Sequence, residues 1–166
     1  SGKTACIIGT GSVGSAIARR LRAFDVQTVG MNRSGHPAAE FDQTQPTCRL
    51  DDLLPLADLV ICAMPLTAET AGLFDSVRIA KIKPGAVFVN VARGKVTDQQ
   101  ALVEALQSGQ LSGAVLDVFE EEPLPRSSPL WDMEQVILTP HNSFVGEHNG
   151  ERLFRLICKN LESFAQ

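Results

Sequence analysis

Residues 4–14 read TACIIGTGSVG. An unbroken apolar run, Ala5, Cys6, Ile7 and Ile8, meets Gly9, Thr10, Gly11, Ser12, Val13 and Gly14, the order expected of a buried strand that turns sharply into a helix. Downstream, Val13, Ala16, Ile17, Leu21 and Phe24 recur at helical steps while Arg19, Arg20 and Arg22 fall largely between them, which predicts an amphipathic helix. Within the turn, Gly9 permits the bend, Gly11 leaves the backbone open to a pyrophosphate, and Gly14 lets helix and strand pack closely. Ser12 and Val13 open the helix, where unpaired N–H groups and the positive dipole end favour an anion. A bare G-x-G-x-x-G is a weak motif. Set between a strand and a helix, with a second strand following, it points to a phosphate-bearing dinucleotide.

The rest of the chain is consistent with one α/β domain over residues 1–166. Its length suffices for a substantial core, and 44% hydrophobic with 20% charged residues is an ordinary globular balance. A net charge of −4 gives no broad attraction for nucleic acid or an anionic membrane, so any phosphate site must be local. The four cysteines are widely spaced; Cys6 and Cys62 sit in apolar runs, as buried reduced thiols would. No apolar run approaches the roughly 18 residues of a membrane span, and the polar start is unlike a signal peptide. A cytoplasmic setting is the expectation.

Strand and helix patterns then alternate. Strands are expected at 26–31, 57–63, 86–91, 113–119 and 136–138, with a short one near 47–49. Helices are expected at 50–56, 67–73 and 75–82, after a Thr97/Gln100 capping box, and from about 147 to 164, where Leu153, Phe154, Ile157, Leu161 and Phe164 share a face. Short connections between alternating elements specify a doubly wound parallel sheet in three layers, a Rossmann-type dinucleotide-binding domain. Ligands of such sheets bind beyond the carboxyl ends of the strands. The residues at those ends are Gly9 to Gly14, Asn32 and Arg33, Met64 and Pro65, Val91 to Arg93, Asp117 and His141.

The loop after the second strand bears on cofactor choice. A carboxylate there would bind a ribose 2′-hydroxyl and repel a 2′-phosphate. The sequence offers Asn32, Arg33 and Ser34 instead, and the planar guanidinium of Arg33 suits a phosphate. NADP is favoured, with NAD possible.

Five blocks carry a family resemblance: GTGSVG at 9–14, MPLTAET at 64–70, KPGAVFVNVARG at 83–94, LDVFEEEPLP at 116–125 and LTPH at 138–141. Together, and in this order, they resemble the NAD(P)-binding domain of the D-isomer-specific 2-hydroxyacid dehydrogenases, glyoxylate/hydroxypyruvate reductases among them. The resemblance implies reversible hydride transfer between NAD(P)H and a small 2-oxo acid. It implies Arg93, Glu122 and His141 as the catalytic set, with Asp117 facing the nicotinamide carboxamide, Pro65 lining the cleft, and homodimers as the assembly.

Those residue types suit the chemistry. Ketone reduction builds negative charge on oxygen, and histidine is the side chain best matched to delivering a proton near neutrality. A carboxylate beside it favours the protonated ring and fixes its orientation. An arginine can hold a carboxylate and polarise the neighbouring carbonyl. Each also has a plainer role: a hydrogen-bonded structural histidine, a solvated acidic loop in the glutamate run at 120–122, an arginine capping a turn. After His141 come Asn142, Ser143 and Phe144, where many members carry small residues. Members also possess a second lobe that closes over the substrate. The helix over 147–166 would lead back to it, so the chain reads as a cofactor domain that binds dinucleotide but turns over little alone. A nucleotide-sensing module of corepressor type is the alternative, with no basic patch or recruitment segment to favour it.

Overall fold

The apolar run forms strand β1 (Thr4–Ile8), whose last four residues are buried, and helix α1 (Ser12–Arg22) follows the glycine turn. The computed structural model describes residues 2–143 and 145–164. The remaining elements are β2 (Gln27–Asn32), β3 (Gln43–Pro46), α2 (Leu50–Leu53), β4 (Leu59–Cys62), α3 (Ser76–Lys81), β5 (Ala86–Asn90), α4 (Gln99–Gln107), β6 (Leu111–Leu116), β7 (Val136–Leu138) and α5 (Asn149–Phe164). The seven strands among the described residues are all parallel, in the order β3-β2-β1-β4-β5-β6-β7. The order reverses at β1, between β2 and β4, where ligands of this architecture bind.

Alternation along the strands sends side chains to two cores. Cys6 and Ile8 join Phe74, Phe88 and residues of α2, α3 and α4 on one face, while Ala5 and Ile7 meet Ala18, Ile17 and Leu21 of α1 on the other. The second face thins away from α1. A cross-strand row runs Ile7, Ile61, Val89, Val115, Ile137, buried at its start and ending with Ile137 61% exposed. Helix α5 forms as the periodicity predicts, yet none of its residues is buried.

Several local expectations are corrected. Residues 47–49 form a 3-10 turn, and β3 lies just before it in the polar stretch QTQP, a sheet-edge strand with no apolar period to read. Residues 67–73 form no helix, with turns over 68–72: the Thr70 hydroxyl donates to Pro65 O and accepts from Thr67 N, side-chain bonds that compete with a helix. The N-cap of α4 is Asp98, which accepts from Ala101 N, whereas Thr97 is buried. Helix α1 ends at Arg22, leaving Phe24 exposed beyond it. Strand β6 stops at Leu116, so Asp117 lies just past its end.

The amino ends of the strands are tied by Asp58. Its carboxylate accepts from Lys83 Nζ (2.8 Å), Thr4 N (2.9 Å) and Lys3 Nζ (3.0 Å), which hold the carboxyl well below its ordinary range, Lys83 contributing most. Asp58→Asn is expected to lower unfolding stability by about 1–3 kcal/mol at neutral pH, the scale of hydrogen bonds to charged groups. Because the folded-state pKa is depressed, this stabilisation is present above the unfolded value and lost as pH falls through the folded one. Denaturant melts of both proteins should therefore begin to converge below about pH 4 and draw closer as the pH falls further.

Candidate active site

Three depressions follow the strand order along the carboxyl rim. The first, about 760 Å³, is lined by Gly9, Thr10 and Gly11 of the turn, Met31 to Arg33 after β2, Thr47 and Cys48 after β3, and Met64, Pro65, Thr67, Glu69, Thr70 and Leu73 after β4. The second, about 340 Å³, shares Met64 and Pro65 and adds Val13, Val91, Ala92 and Arg93. The third, about 650 Å³, holds Phe119, Glu122, Leu124, Trp131, Thr139 and His141.

The glycine turn is closed to side chains at two positions and open at a third. A Cβ on Gly9, whose φ is +108°, would meet Ala63 O at 2.4 Å, and one on Gly14 would meet Gly9 O at 1.9 Å; both positions are closed to a side chain. Gly11 is the reverse. Among the described residues nothing lies within 4 Å of where its Cβ would stand, and no side chain caps the start of α1. The first N–H groups of that helix thus border open space, a natural anion seat. Asn32 is committed to shaping the neighbouring loop: Nδ2 donates to His36 O (2.9 Å) and Thr10 Oγ1 (3.2 Å), and Oδ1 accepts from Gly35 N (2.7 Å). Arg33 remains exposed at the cavity edge, with Ser34 outside the lining.

At the other end of the rim, His141 Nδ1 lies 2.7 Å from Glu122 Oε2. Glu122 Oε1 accepts from Phe119 N (3.0 Å), so one oxygen anchors the carboxylate and the other reaches the imidazole. The carboxyl is held below its ordinary range, chiefly by the His141 bond, with Arg93's charge a smaller contribution. With Nδ1 engaged, Nε2 is the ring nitrogen left to act on a ligand. Arg93 influences Glu122 through its charge but lines the middle depression, where its Nη1 donates to Ala92 O (2.7 Å). Histidine and carboxylate are in contact; the guanidinium stands next door.

Asp117 is 2% exposed, and its oxygens accept from the Thr139 hydroxyl and from the Asn142 and Ser143 amides. Burial alone would raise this carboxyl, but the bonds from Ser143, Thr139 and Asn142 outweigh it and lower the pKa. The aspartate thereby secures the loop on which His141 adopts a left-handed backbone (φ +51°), a conformation costing about 1–2 kcal/mol in an L-residue. Phe144, next along, lies outside the described residues.

Thr10 falls in the glycine turn that the sequence singled out, whereas sequence reasoning missed Thr47, Cys48, Thr67, Glu69 and Thr70 in the first cavity. Thr67, Glu69 and Thr70 lie within the block MPLTAET, whose two threonines three apart were the available signal for a braced loop. The others had none, since only the sheet order brings the end of β3 beside the glycine turn.

The family model for the D-isomer specific 2-hydroxyacid dehydrogenase NAD binding domain matches residues 1–143. A glyoxylate reductase of Pyrococcus furiosus is 40% identical over 163 residues, 98% of this chain and 48% of that protein. Among solved structures, a D-isomer specific 2-hydroxyacid dehydrogenase family protein from Aeromonas salmonicida matches with a TM-score of 0.91 and 40% identity over 99% of this chain and 53% of that one. A probable 2-hydroxyacid dehydrogenase from Rhizobium etli, solved with NADP, HEPES and L(+)-tartaric acid, matches with a TM-score of 0.89 and 34% identity over 98% and 52%. The chain spans about half the length of these relatives.

Proposed function

Because this chain belongs to the D-isomer specific 2-hydroxyacid dehydrogenases, as their NAD-binding domain, we propose that it serves an enzyme interconverting small 2-oxo and D-2-hydroxy acids, of glyoxylate or hydroxypyruvate size, with NADP preferred over NAD. The observation that carries the proposal is the His141–Glu122 contact of 2.7 Å at one end of a rim whose other end is an open glycine turn. When bound, the nicotinamide cofactor supplies or accepts the hydride.

The chain's own residues do the rest. Imidazolium at His141 delivers a proton from Nε2 to the carbonyl oxygen as negative charge builds there, and takes it back in the oxidative direction. Glu122, fixed by the Phe119 amide, orients the ring through Nδ1. Arg93 anchors the substrate carboxylate and polarises the adjacent carbonyl. Gly9, Gly11 and Gly14 shape the diphosphate seat, where Ser12 and Val13 begin α1. Met64, Pro65, Val91 and Ala92 line the path between the two ends. The family reading gives Asp117 the carboxamide; its bonds to the His141 loop support an orienting part as well. Four unpaired cysteines suit a cytoplasmic protein, and exposed Trp131 and Ile137 suit assembly as a homodimer.

Titration of the chain with NADPH and NADH, followed by nucleotide fluorescence, tests the cofactor reading. NADPH is expected to bind more tightly, and Arg33→Ala to reduce that preference about tenfold, as loss of a charge-assisted phosphate contact would. Equal affinities, indifferent to the replacement, would contradict the NADP preference.

A further inference from the structure

The sequence lacks a carboxylate at the end of β2, the usual place for one that selects between a ribose 2′-hydroxyl and a 2′-phosphate. The folded chain supplies one from elsewhere. Glu69, in the loop after β4, lines the same cavity of about 760 Å³ as Arg33. Because β1 lies between β2 and β4, the loops bearing these two charges flank the glycine turn on opposite sides.

We infer that Glu69 is a specificity residue of the nucleotide site, its carboxylate opposing Arg33 so that the pair sets how strongly a ribose 2′-phosphate is preferred to a 2′-hydroxyl. The inference rests on the dinucleotide reading above and adds a residue to it. Glu69 is not a freely sweeping surface glutamate. Its Oε2 accepts from Thr67 Oγ1 (2.7 Å), and that loop is braced in turn by Thr70, whose hydroxyl accepts from Thr67 N (2.7 Å) and donates to Pro65 O (2.7 Å). The carboxyl sits below its ordinary range, mainly through the Thr67 bond and in part through Arg33, so it is anionic at neutral pH and lies in the guanidinium's field.

Charge then decides the sign. A 2′-phosphate carries close to two negative charges, which Arg33 attracts and Glu69 repels; a 2′-hydroxyl is neutral and can donate to the carboxylate. Both cofactors share the pyrophosphate, so removing Glu69's charge affects that part of either ligand alike. Only the 2′ substituent distinguishes them. The ratio of the two affinities therefore isolates the effect.

Glu69→Gln keeps an oxygen for the Thr67 hydroxyl and removes the charge. Dissociation constants for NADPH and NADH, measured on the 166-residue chain and on this variant, should show the NADPH preference rising by about 3- to 10-fold, the scale of exposed charge pairs acting on a multiply charged group. At ~0.5 M salt the gain should shrink, since exposed charges are then screened. Equal gains for both cofactors, an unchanged ratio, or a gain insensitive to salt would overturn the inference while leaving nucleotide binding intact. Failure of the unmodified chain to bind either cofactor would instead remove the dinucleotide reading, and this inference with it.

Discussion

Replacing His141 with alanine is expected to lower kcat for 2-oxo acid reduction by about 100- to 10,000-fold, the usual contribution of a positioned general acid, while nucleotide affinity stays unchanged. The measurement requires the full-length enzyme this domain is proposed to serve, in which a second lobe is expected to complete the cleft. The separation of the two readouts follows from the geometry. His141 belongs to the third depression, remote in strand order from the glycine turn proposed to seat the diphosphate, and that depression shares no lining residue with the first cavity. A merely structural histidine would behave differently: its loss would loosen the Asp117-bonded loop and lower stability without a selective fall in kcat. Unchanged turnover in the alanine variant would dismiss the proposed acid.

Gly94→Ala is expected to be nearly as severe, by a different route. A Cβ at this position would stand 1.8 Å from Phe119 O, 1.9 Å from Phe119 C and 2.5 Å from Glu120 N. All three are backbone atoms, so no side-chain rotation relieves the clash, and the loops after β5 and β6 must separate. Overpacking of this kind costs about 1–3 kcal/mol or more. The functional loss should exceed what stability alone predicts, because the displaced backbone holds the proposed catalytic groups. Phe119 N anchors Glu122, and Gly94 adjoins Arg93. A misplacement of about 1 Å at reacting groups can cost about 100-fold in rate, so in the same full-length enzyme kcat should collapse even where the variant remains folded by circular dichroism. Wild-type turnover from a folded Gly94→Ala protein would show that the contact between these two loops is not needed.

Much of this molecule was legible without coordinates. The apolar runs at 5–8, 59–62 and 86–89, each bounded by turn or polar residues, read as strands and form β1, β4 and β5, and the glycine turn fixed where the first helix begins. Local sequence failed where side-chain hydrogen bonding or sheet-edge position overrode the pattern. The 67–73 segment has helical spacing but is captured by its own threonines, and β3 has no apolar face because it borders solvent.

The site divides in the same way. Periodicity put Arg93 and His141 at strand ends, since strand ends are local features of a chain, and the family resemblance singled out Glu122 in the acidic loop at 120–122. Which strand ends become neighbours is a property of the sheet order, and that is set by packing among elements distant in sequence. Only the tertiary structure brought Glu122 Oε2 to His141, turned Asp117 inward onto the His141 loop, and placed Glu69 in the cavity that Arg33 borders. Hydrogen bonds and charge interactions act through space, and a linear sequence carries no distances.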